Sequence, residues 1–482
     1  MRYGKVLIVN PESHGEWKGI RPHIGLGYLT QALQDRGIEY DYLDMNLGHG
    51  YRQLQEKIDK FKPDLVGISL LSMEYKKFYR LIAQIKSGNP SIPIVAGGPH
   101  VTILKERVLE DCPALDYGVV FEGEDALFEL CRGDELGDIK NLIYRADGTI
   151  IQNEQREFKM NLDELSFPRY EKFELEKYVP EIDIYSSRGC PHECIFCPNR
   201  LISPVYRARS PQHVVDEMEY WYERGHRQFN FDDDNFNYVK SRVYAICDEI
   251  ERRGLKNLFL RCSNGIRADR VDKDMLIRMK EVGFKYIAFG ADAGNNRMLE
   301  IVKKGETIED IERAVKDACE LGYDTKLLFV VGTPQETWED VEDKVRLSRK
   351  YPVKDVHFYN IIPYPGTELF DWIKENGYFL RGPADYLNDV SVLENTPVFE
   401  TPELPAETRI KLFKYLGKVQ KEVHRNAIAD IFSDYGMAGK IAGRVLSNKY
   451  FKQMFYQNFA VRRIAERIRY KKAVEASGKD AA

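Results

Sequence analysis

Short apolar runs alternate with amphipathic segments along most of this chain, and that alternation restricts the fold more than any other feature. Lys5–Val9, holding Val6-Leu7-Ile8-Val9, reads as a buried strand, and Gly25–Arg36 follows it with helical periodicity. Glu39–Leu43, Asp64–Ser69, Ile92–Ala96 and Tyr117–Phe121 repeat the strand pattern, with Tyr75–Lys86 helical among them. Strands separated by helices imply a parallel, doubly wound sheet over residues 1–135. Ligands of such sheets sit beyond the carboxyl ends of the strands. The loops there are Asn10–His23, Ser69–Glu74, Gly97-Gly98-Pro99-His100 and Glu122-Gly123-Glu124. Their glycines let the backbone approach a ligand closely.

Residues 136–180 read as a connector, with a hairpin at Ala146-Asp147-Gly148 and a proline-containing segment near Phe167-Pro168. A second series then begins. Ile182–Ser187, Gln228–Asp232, Asn257–Cys262, Lys285–Gly290, Lys326–Val331 and Asp355–Ile361 look like strands. Pro211–Arg224, Lys273–Val282, Ile308–Leu321 and Thr337–Lys350 look like helices between them. Six such units predict a partial barrel over residues 181–380, and barrels gather their chemistry at the C-terminal strand ends. Residues 381–482 lose the strand rhythm and read as loop and then helices. Their last part is basic, with Lys440, Arg444, Lys449, Lys452, Arg462, Arg463, Arg467, Arg469, Lys471 and Lys472, and Met454, Phe455, Tyr456 and Phe459 interleaved.

At 482 residues the chain exceeds one ordinary core of about 100–200 residues. Its net charge of −5 argues against broad nucleic-acid binding, which favours a basic face. No apolar run approaches the roughly 20 residues of a membrane span, and no signal peptide is visible. A cytoplasmic protein is expected, with surface membrane contact through the basic tail as a refinement. Eight cysteines in this length do not suggest a disulfide scaffold. Cys112, Cys131, Cys247, Cys262 and Cys319 are scattered and read as small buried hydrophobes.

The other three stand together, in Gly189-Cys190-Pro191-His192-Glu193-Cys194-Ile195-Phe196-Cys197, directly after the first strand of the second series. Three thiolates at this spacing can wrap one soft-metal centre. A zinc site would want a fourth ligand, which His192 offers, and a [4Fe–4S] cluster normally takes four thiolates. Inert loop cysteines are the remaining alternative.

The segment resembles the radical S-adenosylmethionine superfamily, whose signature is C-x3-C-x-φ-C with an aromatic where Phe196 stands. The resemblance implies that Cys190, Cys194 and Cys197 each bind an iron of a [4Fe–4S] cluster, and that Phe196 packs at the cofactor. The open iron would take S-adenosylmethionine, whose reductive cleavage gives a 5′-deoxyadenosyl radical. A one-electron donor such as flavodoxin or ferredoxin is then implied. Other strand ends fit the same family. Asp232-Asp233-Asp234 resembles its second-strand motif, which implies cofactor contacts for Asp233 and Asp234, with a solvated acidic turn as the plainer reading. Ser263 and Asn264 end the third strand. Asp292-Ala293-Gly294 stands where relatives often carry Glu-Ser-Gly, so the carboxylate is kept and the serine lost. Gly332-Thr333-Pro334-Gln335-Glu336-Thr337 matches a family turn in which Gly332 nears the adenine and Glu336 caps the next helix. Pro363-Tyr364-Pro365-Gly366-Thr367 reads as a rigid closing turn or a substrate contact.

A doubly wound domain ahead of such a barrel resembles the cobalamin-binding subclass, which implies contacts from Ser69, Gly97, Gly98, Glu122 and Gly123. The histidine-on motif D-x-H-x-x-G is not met: Glu12-Ser13-His14-Gly15-Glu16-Trp17 lacks the aspartate and the last glycine. The expected fold class is α/β: a Rossmann-like sheet, a partial (β/α)6 TIM-like barrel and a C-terminal helical region. The expected function is cobalamin-dependent radical chemistry, methylating or rearranging an unactivated carbon of a small-molecule or lipid substrate. The alternatives are a radical enzyme without cobalamin, a methylthiotransferase-like enzyme, and a sensor with a vestigial barrel. The methylthiotransferase would need a second three-cysteine cluster in the N-terminal domain, where only Cys112 and Cys131 lie.

Overall fold

The computed structural model describes residues 1–13 and 20–431, so His14 and the basic tail from Lys440 lie outside the described residues. Two compact units emerge. The first holds Met1–Val179, Leu201–Arg207 and Pro383–Val390; the second holds Pro180–Arg200, Ala208–Gly382 and the chain from Ser391 on.

The first unit is built on a seven-stranded sheet. Its strands are β1 (Lys5–Asn10), β2 (Glu39–Asp44), β3 (Leu65–Ser69), β4 (Ile94–Gly97), β5 (Tyr117–Val119), β6 (Leu142–Ala146) and β7 (Thr149–Gln152), in the order β2-β1-β3-β4-β5-β6-β7. The first five are mutually parallel, and β6 and β7 add on antiparallel. The order reverses between β1 and β3, which makes the loops after those strands a switch point where ligands of such sheets bind. Val6, Leu7, Ile8 and Val9 of β1 are buried, as a strand covered on both faces requires. Helix Tyr75–Gly88 places Phe78, Leu81, Ile82 and Ile85 on one buried stripe at helical spacing. Helix Tyr51–Phe61 was not read in advance, although Tyr51, Leu54, Ile58 and Phe61 stand at helical spacing and pack on the core. Of the stretch read as a connector, 136–180, all but Pro180 falls in this unit, and its hairpin extends the sheet.

In the second unit six parallel strands run in chain order: β8 (Glu181–Ile184), β11 (Gln228–Phe231), β12 (Phe259–Ile266), β13 (Phe284–Asp292), β14 (Asp324–Val331) and β15 (Asp355–Asn360). Two short extended segments, β9 (Ser187–Arg188) and β10 (Arg207–Ala208), follow β8 in the chain. β8 and β15 are the two edges, so the sheet is open. Register shifts interrupt β12–β13 between Cys262 and Ile266, and β13–β14 between Gly290 and Asp292. Such irregularities re-aim side chains at strand ends. The long helix Ala406–Ile431 packs on β15 with Leu412, Phe413, Leu416, Val419 and Val423 buried. Among the described residues no helix is long and apolar enough to cross a membrane.

Candidate active site

The loop after β8 carries Cys190, Cys194 and Cys197, all half-buried and none in a disulfide. Several elements hold this loop. Ile195 N donates to Val302 O at 3.2 Å, Leu369 N to Ile195 O at 3.0 Å, and Cys197 N to Cys194 O at 3.1 Å. Asn235 Nδ2 stands 3.9 Å from Cys190 Sγ. Burial pushes the Cys194 thiol up to about 11 and the Cys197 thiol up to about 12. On Cys194 the positive charges of Lys304 and Arg267 act the other way, favouring the thiolate. Among the described residues no three His, Cys, Asp or Glu side chains converge as ligands of a single metal ion. A cluster makes a different demand, one thiolate on each iron. Three half-buried thiols on one braced loop, with a cationic pair beside them, fit that demand, and His192 Nε2 is buried there without a partner.

Asp233 and Asp234 grip this loop from β11. Asp233 accepts from Ser187 N at 2.7 Å and from Ser186 Oγ. Asp234 accepts from Gly189 N at 3.0 Å and Asn199 Nδ2 at 2.7 Å. Burial raises the Asp233 carboxyl to about 6, against the nearby Arg242 guanidinium and these hydrogen bonds. Asp233 is buried and Asp234 exposed, and both carboxylates brace the cysteine loop. Asn264 Nδ2 donates to Asp233 O at 3.0 Å, and the Ser263 hydroxyl donates to Asn230 Oδ1 at 2.7 Å. Asn230 Nδ2 in turn reaches Asp183 Oδ1 at 2.8 Å. Phe196 is half-buried.

Asp292, at φ 56 on the irregular end of β13, pairs with Lys304 at 2.8 Å. Enclosure disfavours the Lys304 charge, yet Asp292, Glu306 and Cys194 around it hold its pKa above the ordinary lysine value. Burial raises Glu306 to about 7, and its Oε1 accepts from Ala268 N while lying 3.3 Å from Arg267 Nε. Lys304, Arg267 and Glu306 were not singled out from the sequence. Arg267 directly follows β12, and Lys304 and Glu306 lie between helices Asn296–Ile301 and Ile308–Glu320, where no periodicity marks them.

Glu336 does not cap the next helix. Thr337 and Asp340 form that cap, while Glu336 accepts from Gly332 N at 2.5 Å and Thr333 N at 3.3 Å and pairs with Lys344, both side chains fully buried. Gly332 sits at φ 103, and the group facing it is the Arg409 guanidinium. In the Tyr364–Thr367 turn, Thr367 N and Oγ1 both donate to Tyr364 O, and Thr367 Oγ1 caps helix Glu368–Glu375.

In the first unit the ends of β3 and β4 lie side by side, next to the switch point between β1 and β3. Leu70 N donates to Gly97 O at 2.8 Å, and a Cβ on Gly98 (φ 97) would meet Leu70 O at 2.9 Å and Ser69 Oγ at 3.1 Å. Backbone groups and the Ser69 hydroxyl there fit the amide and phosphate groups of a cobalamin tail. Both carboxylate oxygens of Glu122 accept from Arg207 at 2.9 Å. Gly123 opens helix Glu124–Arg132.

Against known proteins, the B12 binding domain family matches residues 15–131 and the Radical SAM superfamily matches residues 184–347, together more than half of the chain. The uncharacterized methyltransferase PH0819 of Pyrococcus horikoshii is 29% identical over 474 residues, covering 94% of this chain and all of that protein. The fold is similar to that of TsrM from Kitasatospora setae, a radical S-adenosylmethionine methyltransferase solved with cobalamin and a [4Fe–4S] cluster (TM-score 0.68, 23% identity, 78% of this chain and 79% of that one). It is also similar to the cobalamin-dependent radical enzyme OxsB, solved with aqua-cobalamin and S-adenosylmethionine (TM-score 0.73, 14% identity, 99% and 80%). The two matches fall in the same order as the two sheets. The chain belongs to the radical S-adenosylmethionine superfamily, in the group that carries an N-terminal B12-binding domain.

Proposed function

We propose that the protein methylates a small-molecule substrate, using S-adenosylmethionine and cobalamin. The observation that carries this reading is the trio of half-buried thiols beside Lys304 and Arg267, in a chain that also bears a B12-binding domain. When bound, the cluster and the two organic cofactors supply electron transfer, radical generation and methyl transfer. The chain supplies placement. Asp233 holds Ser186 and Ser187 ahead of the cluster loop, and Asp234 ties Gly189 at its start to Asn199 at its end. Lys304 and Arg267 offset negative charge gathered at the thiolates, a surrounding that makes an iron–sulfur centre easier to reduce. Asp292, Ser263 and Asn264 offer polar groups at neighbouring strand ends for S-adenosylmethionine. Ser69, Gly97, Gly98 and Gly123 would hold cobalamin. The methylating activity in the printed name of PH0819, and TsrM solved with tryptophan substrate, support methyl transfer to a small molecule over rearrangement or a lipid substrate.

The test is anaerobic purification with cobalamin supplied, followed by reduction in the presence of S-adenosylmethionine. A corrin absorbance beside that of the cluster, with consumption of S-adenosylmethionine, is the expected result. Absent corrin absorbance with 5′-deoxyadenosine still formed would favour the radical enzyme without cobalamin. Loss of both would leave the sensor.

A further inference from the structure

The long helix Ala406–Ile431 carries one charged residue into the interior of the second unit. Arg409 is 0% exposed, and its Nε, Nη1 and Nη2 have no hydrogen-bond partner among the described residues. Its Cζ lies 4.5 Å from the Phe399 ring centroid. On another side lies Gly332, the first residue after β14, where a Cβ would come within 2.7 Å of both Cζ and Nη1. Glycine at 332 is therefore what lets the guanidinium approach this strand end. Burial lowers the Arg409 pKa to about 10, which still leaves it charged at neutral pH.

The two carboxylates whose charge bears on it have other partners. Glu336 accepts from Gly332 N and Thr333 N and pairs with Lys344; Glu400 Oε2 accepts from Ala406 N at 3.0 Å. Two more buried polar atoms lack partners among the described residues at the same strand ends. One is Thr333 Oγ1. The other is Asn360 Oδ1, on the residue paired with Val331 across the β14–β15 ladder. A buried charge without a hydrogen-bonded counter-charge is strongly unfavourable, whereas a planar fork of N–H donors satisfies a carboxylate or phosphate in two parallel bonds.

We propose that Arg409, with the hydroxyl of Thr333, the residue after Gly332, is the receptor for an anionic group, a carboxylate or phosphate, on a small molecule bound at the carboxyl end of β14. The anion reaches it by parting the Gly332–Thr333 turn from the helix. This inference rests on the reading of these strand ends as the reaction site, and it adds that one reactant is held there by its negative charge. The charge has two sources: the carboxylate of S-adenosylmethionine or an anionic group of the substrate.

The experiment uses full-length protein with its cluster reconstituted anaerobically, alongside Arg409→Gln, Arg409→Lys and Thr333→Val. Equilibrium dialysis measures S-adenosylmethionine against its decarboxylated analogue. Hydrogen exchange at residues 332–336 is followed while inorganic phosphate or acetate is added. If the cofactor carboxylate is the anion, the wild type prefers S-adenosylmethionine by about tenfold or more and Arg409→Gln abolishes the preference, as loss of a charged hydrogen bond predicts. If the substrate carries it, S-adenosylmethionine binding is unchanged. Phosphate or acetate then slows exchange in the wild type, less in Arg409→Lys and Thr333→Val, and not in Arg409→Gln. Wild-type behaviour of Arg409→Gln in both arms overturns the inference. Should Arg409→Gln lose its cluster absorbance, Arg409→Lys decides: an anion response weakened by about tenfold supports the receptor, and an unchanged one overturns it. 5′-Deoxyadenosine is measured in parallel. Its absence from the wild type sinks the functional reading, while the binding arms still judge Arg409.

Discussion

The two parallel sheets bury their strands in different ways. In the first, β3 is buried from Leu65 to Ile68, and β1 from Val6 to Asn10. In the second, β14 alternates: Thr325, Leu327, Phe329 and Val331 are buried, while Asp324, Lys326, Leu328 and Val330 are half-exposed. β15 alternates likewise, with His357 and Tyr359 on its open positions. A sheet covered on both faces has little use for polar side chains, so its function moves to loops and backbone. A sheet with one open face can carry chemistry on the strands themselves and at their ends. The thiols and the Asp233 and Asp234 carboxylates follow β8 and β11, which are buried throughout like the strands of the first sheet, so they too are carried beyond strand ends.

The largest expected effect tests the second unit. Replacing Cys190, Cys194 or Cys197 with serine should bring cluster absorbance and 5′-deoxyadenosine formation to background while far-UV circular dichroism stays unchanged, because the thiols lie on a loop. Retained cluster absorbance in any of the three would break the assignment. Next comes Lys344→Met, which leaves the buried Glu336 carboxylate without its counter-charge. It should cost about 3–5 kcal/mol in chemical denaturation. A much smaller loss would mean that the Gly332 and Thr333 amides suffice to hold Glu336.

Leu7→Ala and Leu328→Ala sharpen the contrast between the sheets. Leu7 is fully buried in the first core, so its truncation should cost about 2–5 kcal/mol. Leu328 is half-exposed, and its truncation should cost about 1 kcal/mol or less. Equal losses would refute the distinction. The smallest effect is a pH dependence. Asp233 titrates near 6 in the folded protein, above the ordinary carboxyl value near 4, so the folded state holds a proton that the unfolded chain releases. Its contribution to stability therefore falls as pH rises from about 4 to about 6 and is flat above that. Asp233→Asn should remove that fall from the denaturation midpoints. A variant with the wild-type profile would place the dependence elsewhere.

Much of the fold could be read in advance because its signals are local. The apolar run at Val6–Val9, the stripe Phe78, Leu81, Ile82 and Ile85, and the turn at Asp147-Gly148 each lie within one element. Helix Tyr51–Phe61 escaped although Tyr51, Leu54, Ile58 and Phe61 form a stripe at helical spacing. The partnership of the 136–180 hairpin with β5 also escaped, since antiparallel addition to a parallel sheet is set by which edge is free. At the site, the cysteine spacing and the acidic turn were visible. The expectation that Glu336 caps its helix failed because Thr337 is the better cap and the Gly332 and Thr333 amides needed an acceptor.

By itself the sequence determined the order of strands and helices, the three thiols on one loop and the break between two αβ series. These follow from spacing along the chain, which folding does not alter. Only the tertiary structure decided which charge answers which. It set Lys304 against Asp292, turned Asp233 onto Ser186 and Ser187, closed Arg207 on Glu122, and brought Arg409 from a distant helix under Gly332. Such pairings depend on distances through space and on what burial has excluded from water, and neither is written in the separation of residues along the chain.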